Sequence, residues 1–140
     1  MKIFYLIFIF LFFSFSTLNA KSIINNKSGG PLFLFLVDKS CQPDPHMLKK
    51  LMFSMPTDPD FYLSISCKKL GKTIELEPST KLSITDHDEF IVIGKLKSPV
   101  SKVSFCYLQN NSEIDIEALG IGGVICKCKN KDNCNDQLLK

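Results

Sequence analysis

The chain has 140 residues, of which 45% are apolar and 22% are charged, and its formal net charge is +3 at pH 7. This length fits one compact domain, since domains most often contain about 100–150 residues, and it excludes a multidomain enzyme. All 17 basic side chains are lysines. Because lysine lacks the planar fork with which arginine reads guanine and clamps phosphate, a dedicated nucleic-acid or phosphate reader is not expected.

The first twenty residues have the pattern of a secretory signal peptide. Lys2 precedes an unbroken apolar run over residues 3–13, and a polar stretch follows that ends at Ala20. These are the three zones of such a peptide, and the apolar run is shorter than the roughly 20 residues that span a membrane. We therefore predict a signal peptide over residues 1–20 and a secreted, extracellular domain over residues 21–140, with no membrane span in the mature chain.

The mature sequence begins with a turn and two clear elements. Ser28–Pro31 predicts a turn, and the continuous apolar run Leu32–Val37 predicts a strand that is buried in the middle of a sheet. Asp44 directly before Pro45 suits a helix start, and apolar residues recur at helical spacing as far as Met52. We expect a short surface helix or turn there.

The rest of the chain reads as short strands. Turn signals separate them about every ten residues, which is typical of an all-β sandwich or barrel. We predict a small all-β domain of about seven or eight strands with one short helix or turn. After Leu32–Val37, the predicted strands are 61–66, 74–76, 81–84, 90–93, 103–107, 114–118 and 124–126.

The cysteines predict disulfide bonds. All six lie in the predicted mature domain, and an even number in a small secreted protein indicates paired cysteines. Cys126 and Cys128 point to the same face of one predicted strand, so they are expected to have different partners. A soft-metal site on the last three cysteines is the less favoured alternative, because lysines crowd it. The predicted disulfide cysteines are Cys41, Cys67, Cys106, Cys126, Cys128 and Cys134.

Two sequons predict glycosylation, at Asn26 and at Asn110. Both fall in polar stretches between strand-like runs. Asn110 is the better candidate, because the residues around it read as the tip of a hairpin.

The sequence contains no recognisable catalytic constellation. The densest polar cluster is Asp86–Glu89, with three carboxylates and His87; a solvated turn is favoured there over a cation site or a catalytic site. The only other histidine is His46. Gly120–Gly123 follows one strand and precedes another, so we interpret it as a turn or bulge and not as a phosphate cradle. We predict a protein that is not an enzyme and that has no cofactor, no metal ligand and no catalytic residue.

The order of short motifs resembles the nematode transthyretin-like family of small secreted proteins. The resemblance runs over nearly the whole mature chain and implies a transthyretin-like β-sandwich. The motifs that carry it are Leu36-Val37-Asp38, Pro43-Asp44-Pro45, Thr57-Asp58 with Phe61, Leu63 and Ser64, Glu77-Pro78 with Lys81–Ile84 and His87-Asp88, Lys102–Phe105, and Ile114–Leu119.

The resemblance implies a function in binding. It implies an extracellular or cell-surface-associated protein whose partner is a small lipophilic ligand, a lipid or a receptor domain. The hydrolase activity known in this fold does not carry over, because its site uses arginine and this chain has none. We expect an apolar sheet face or cavity to bind the partner, so that binding persists at high salt.

The C-terminal cysteine cluster has a second resemblance, to three-finger (Ly6-like) domains. The stretch from Cys126 to Asn135 is similar to the end of such domains. The alternative function is therefore a secreted three-finger modulator of a membrane receptor. That alternative requires a bond between Cys106 and Cys126 and a small loop closed by Cys128 and Cys134.

Overall fold

A computed structural model describes residues 21–42, 44–55, 67–98, 100–109, 111–120 and 122–129, together with the backbone of 134–137. These residues form nine strands and one helix. The predicted signal peptide and the predicted strand at 61–66 lie outside the described residues. The elements are β1 (Ser22–Lys27), β2 (Leu32–Val37), α1 (Pro45–Phe53), β3 (Ile74–Leu76), β4 (Lys81–Ile84), β5 (Phe90–Leu96), β6 (Ser104–Leu108), β7 (Glu113–Leu119), β8 (Gly123–Cys128) and β9 (Cys134–Gln137).

The strands form two sheets. Sheet A has the order β4-β1-β7-β8, and sheet B has the order β3-β2-β5-β6-β9. Within sheet A, β1 pairs in parallel with β7, with Ile24 opposite Ile114, whereas β1 and β4 are antiparallel. The two-sheet, all-β architecture with one short helix is confirmed. The sequence prediction lacked β1 and β9, because neither has an alternating apolar pattern.

One apolar cluster fills the space between the two sheets. Every second residue of a strand faces the same side, so sheet A contributes Ile24, Ile114 and Ile116 while sheet B contributes Leu34 and Val92. All five side chains are fully buried. This core leaves the intervening residues of β1 and β7 to face outward.

Sheet B is buried on its outer face as well. All six residues of β2 are buried, since Phe33 and Phe35 pack in a second apolar cluster with Met47 and Leu51 of α1. The continuous apolar run of β2 therefore has a partner on each side. The prediction of a centrally buried strand is confirmed.

Local capping places α1 over sheet B. The Asp44 carboxylate accepts a hydrogen bond of 2.7 Å from the Met47 backbone N–H, and Pro45 occupies the first turn. These are favourable residues at a helix start, and they confirm the predicted helix. At the other end, the fully buried Lys95 of β5 donates from Nζ to the carbonyl oxygens of Leu51 at 3.0 Å and Ser54 at 2.7 Å. An ammonium group stabilises the carbonyl end of a helix.

Disulfide bonds connect the parts of the fold. Cys41 bonds to Cys67, and Cys106 of sheet B bonds to Cys126 of sheet A across the core. Cys128 is also disulfide-bonded. Cys126 and Cys128 therefore have different partners, as predicted, and Cys126 is not available as a metal ligand. Such bonds form in an oxidising compartment.

We expect Lys95→Met to destabilise the fold by about 1.5–3 kcal/mol, because buried carbonyl groups at the end of α1 lose a charged donor. Urea unfolding monitored by circular dichroism measures this change. Lys97→Met is the matched control, since Lys97 is exposed and pairs with Glu75 at 2.6 Å. An exposed pair of this kind contributes less than about 1 kcal/mol, so equal losses in the two variants would contradict the helix-capping role.

Candidate binding face

The outer face of sheet A carries a row of acidic side chains with lysines on both sides of it. Ile114 and Ile116 point into the core, so Glu113, Asp115 and Glu117 of β7 point outward in one row. Lysines on the neighbouring strands flank these carboxylates on both sides. The ion pairs are Lys27–Asp115 at 2.7 Å, Lys129–Glu113 at 2.9 Å and Lys127–Glu117 at 2.6 Å.

Asn25 lies at the centre of this face and is only 3% exposed. Its Nδ2 donates hydrogen bonds to Glu113 Oε1 at 2.9 Å and to Asp115 Oδ1 at 2.8 Å. Ionised carboxylates only accept hydrogen bonds, so these contacts determine which way the amide points. Within the part of the chain that the structure describes, the buried Asn25 Oδ1 has no hydrogen-bond partner. A buried acceptor without a donor is costly, at about 1–3 kcal/mol.

The hydrogen bonds on this face lower the pKa of two carboxyl groups. Burial acts to raise the pKa of Asp115, but hydrogen bonds from Lys27 and Asn25 outweigh it and leave that pKa below its usual value. Hydrogen bonds from Asn25 and Lys129 lower the pKa of Glu113. Both groups therefore stay charged, which preserves the ion pairs on this face.

A groove of about 470 Å³ runs along β1 beside these charges. The turn before β4 forms one wall, because Ser79 N–H donates to the Asn26 carbonyl at 2.9 Å and Asn26 N–H donates to the Thr80 carbonyl at 3.0 Å. Every lining residue except Gly29 has a polar side chain, although carbon atoms, such as those of the lysine stems, form more of the lining than nitrogen and oxygen atoms do. It consists of Asn25, Asn26, Lys27, Gly29, Ser79, Thr80, Lys81 and Lys129.

Asn26 joins the two sheets at this corner. Its side chain is fully buried and donates to the carbonyl oxygens of Gly30 and Leu76, each at 2.9 Å. Its Oδ1 accepts from Ser28 N–H at 3.0 Å and from the Ser28 hydroxyl at 2.7 Å. A glycan on Asn26 would replace one of the two Nδ2 hydrogens that make these bonds. Glycosylation of Asn26 stays a prediction. Asn110, the other predicted acceptor, lies outside the described residues.

The cluster at Asp86–Glu89 forms a second, exposed groove of about 450 Å³. Glu89 is paired with Lys39 at 2.8 Å, and the His87 ring packs edge-on against Phe90 with centroids 6.4 Å apart. In the described ranges, no three His, Cys, Asp or Glu side chains are placed to hold a metal ion. His46, in the first turn of α1, is exposed and lines neither groove.

Gly120 and Gly122 lie in the turn between β7 and β8, and Gly123 begins β8. Gly122 has a φ of +80°, which side-chain-bearing residues rarely adopt. A Cβ on Gly123 would lie 2.5 Å from the Lys102 Cβ, so the chain needs glycine for this close approach. The interpretation of this stretch as a turn holds.

Comparison with known proteins finds a distant structural likeness and no family. No model of a known protein family matches the sequence, and no curated protein matches it. Among solved structures, the chain is similar to the T6SS lipoprotein TssJ1 from Pseudomonas aeruginosa, with a TM-score of 0.43 and 12% identity, covering 80% of this chain and 98% of that chain. A similarity of this size assigns neither a fold family nor a function.

The fold and the site together define a class of protein. It is a disulfide-linked β-protein of two sheets, with one sheet covered on both sides and the other presenting a charged face. None of its described helices is long and apolar enough to cross a membrane.

We expect acid to destabilise the protein partly through the sheet A carboxylates. A carboxyl group whose pKa is lowered by folding stabilises the native state above its unfolded pKa, near 4, and this contribution is lost as the pH falls through the lower native value. Asp115→Asn should therefore lower the free energy of unfolding at pH 7 by about 1–2 kcal/mol. Below about pH 4, the free energy of unfolding of this variant should fall less steeply with pH than that of the unaltered chain.

Urea unfolding at pH 7, 5, 3 and 2 measures both effects. Asp88→Asn is the control, since Asp88 is an exposed residue of the turn before β5. We expect Asp88→Asn to leave the acid dependence close to that of the unaltered chain. Identical pH profiles for the two variants would show that Asp115 has no special part in acid stability.

Proposed function

We propose that this chain is a secreted binding protein of transthyretin-like type that recognises a cell-surface partner through the outer face of sheet A. The observation that carries this proposal is the polar construction of that face. Asn25 and Asp115 are almost completely buried within a surface of charged side chains, with exposed fractions of 3% and 8%. Burying polar groups costs free energy unless they are hydrogen-bonded, and a buried acceptor left without a partner calls for an explanation, which recognition of a ligand supplies. The disulfide bonds agree with an extracellular setting.

The outer face of sheet A is favoured as the binding surface because both apolar faces of sheet B are already covered within the fold. One side of sheet B forms the core and the other lies under α1. Both grooves described above are lined mostly by polar residues. These features support a polar partner over a small lipophilic ligand or a lipid. The binding that persists at high salt, expected from the sequence, remains an untested prediction, and the salt series below distinguishes it from this proposal.

The three-finger alternative has one observation in its favour. The Cys106–Cys126 bond is the pairing that it requires, and Cys128 is disulfide-bonded too. In that case the protein would modulate a membrane receptor, and nothing about that role requires the charged face of sheet A.

The test is binding of the fluorescently labelled protein, residues 21–140, to intact cells. We expect saturable binding that weakens as salt rises from 0.1 to 0.5 M, because the Debye length of about 10 Å at 0.1 M becomes shorter. Lys127→Gln combined with Lys129→Gln should weaken binding at least about fivefold, the equivalent of one lost surface ion pair.

Lys49→Gln combined with Lys50→Gln is the matched control. It makes the same change in net charge on α1, on the opposite side of the molecule, and it should bind as the unaltered protein does. Binding that depends equally on both pairs of lysines, or that persists unchanged at high salt, would contradict recognition by sheet A. Saturable binding to an isolated receptor ectodomain that neither pair affects would favour the three-finger alternative.

A further inference from the structure

We propose that the groove beside β1 is a binding site for an acidic saccharide, with a hydroxyl group donating to Asn25 and the acid group held by lysine. This inference rests on the proposed function and names the chemical class that the sheet A face recognises. Two independent features of the groove support it. One is an acceptor that lacks a donor, and the other is an ammonium group that lacks a carboxylate.

The acceptor is Asn25 Oδ1. Both Nδ2 hydrogens are used by carboxylates of β7, so Oδ1 faces the other way, toward the groove and β4. Lys81 lies directly opposite Asn25 in the β1–β4 ladder, and both residues line the groove. Side chains that line the groove must move to admit a ligand to the buried Oδ1. Only a ligand with an O–H or N–H donor can satisfy it.

The free ammonium group is that of Lys81. Lys27 and Lys129 already pair with carboxylates of β7, but within the described parts of the chain Lys81 forms no ion pair. Three lysines line the groove, whereas the two carboxylates that pair with Lys27 and Lys129, those of Asp115 and Glu113, are not among its lining residues. The surplus positive charge favours an anionic ligand, and Lys81 can bind it without breaking an existing pair.

A sugar acid combines the two requirements on one small ring. It presents hydroxyl donors for Asn25 Oδ1 and, a few ångströms away, an acid group for Lys81. Ser79 and Thr80 on the turn add oxygen atoms that accept hydrogen bonds from further hydroxyls. The groove volume of about 470 Å³ suits one or two rings. Its lining contains no aromatic side chain, so neither a nucleobase nor a neutral sugar would find a ring on which to stack.

The experiment is a titration of the protein, residues 21–140, with a glucuronic-acid-containing tetrasaccharide, observed by two-dimensional NMR of the backbone amides. We expect amide shifts confined to residues 25–29 and 79–81. A neutral glucose tetrasaccharide and sodium sulfate serve as ligand controls, and neither should reproduce these shifts at equal concentration. Lys81→Gln should weaken binding of the acidic saccharide about fivefold, the usual size of one exposed charge contact.

Lys72→Gln is the matched protein control. Lys72 is also an exposed lysine but lies in a different turn and does not line the groove, so this variant should bind the saccharide normally. Equal weakening in the two variants would overturn the site, as would equal shifts with sulfate, which would show a simple anion site. Shifts elsewhere on the protein, or no shifts at all, would also overturn it.

Cell binding separates this inference from the proposed function. If enzymatic removal of acidic saccharides from the cells abolishes binding, both are supported. If binding survives that treatment but still depends on Lys127 and Lys129, the partner is a protein, so the function stands and the saccharide inference is wrong. Saccharide binding in the NMR experiment without any cell binding would leave the site correct and the proposed function wrong.

Discussion

The fold depends on the need to bury one uninterrupted apolar strand on both sides. In β2, all six residues from Leu32 to Val37 are apolar and buried. A strand whose alternate residues are polar can face water on one side, but this strand cannot, since each exposed side chain of this size costs about 1.5–3 kcal/mol. Sheet A must therefore cover one face of β2 and its neighbours, and α1 with the Cys41–Cys67 disulfide must cover the other.

Covering sheet B in this way leaves sheet A with the polar outer face of the molecule. Sheet A uses one side for the core, so the alternate residues of β7 can be acidic while Ile114 and Ile116 remain buried. Parallel pairing then brings Asn25 and Lys27 of β1 beside these acids. The position of the candidate site is thus a consequence of how the apolar strands pack. It does not depend on any local motif.

The sequence predicted elements whose signals are local and missed those that depend on distant partners. The apolar run of β2 and the Asp44-Pro45 helix start could be read directly. In contrast, β1 contains two asparagines and a lysine, and the residues it pairs with are 56 or more residues away in the chain. Lys95 follows an apolar run, and only the docking of α1 explains its burial.

The candidate site was missed for the same reason. The alternation around Ile114 and Ile116 predicted a strand at 114–118, but the sequence analysis assigned no role to the acidic residues Glu113, Asp115 and Glu117. Nothing in the sequence showed which strands flank that row, so the lysines and Asn25 could not be placed beside it. The polar cluster at Asp86–Glu89 is easier to see in the sequence because its residues are consecutive. In the folded chain, however, Glu89 is paired with Lys39.

The ion pairs on sheet A determine which of its lysines can serve a ligand. Lys27 and Lys129 each hold a carboxylate that also accepts a hydrogen bond from Asn25. Withdrawing either lysine would weaken the contacts that keep Asp115 charged in a largely buried position, and an uncompensated buried charge is strongly destabilising. Lys81 forms no ion pair within the described residues, although its charge helps to lower the pKa of Glu113, and it lies in β4, the edge strand of sheet A. A ligand that binds to Lys81 therefore has little effect on the stability of the fold. A ligand that displaced the ion pairs of Lys27 or Lys129 would lower the free energy of unfolding.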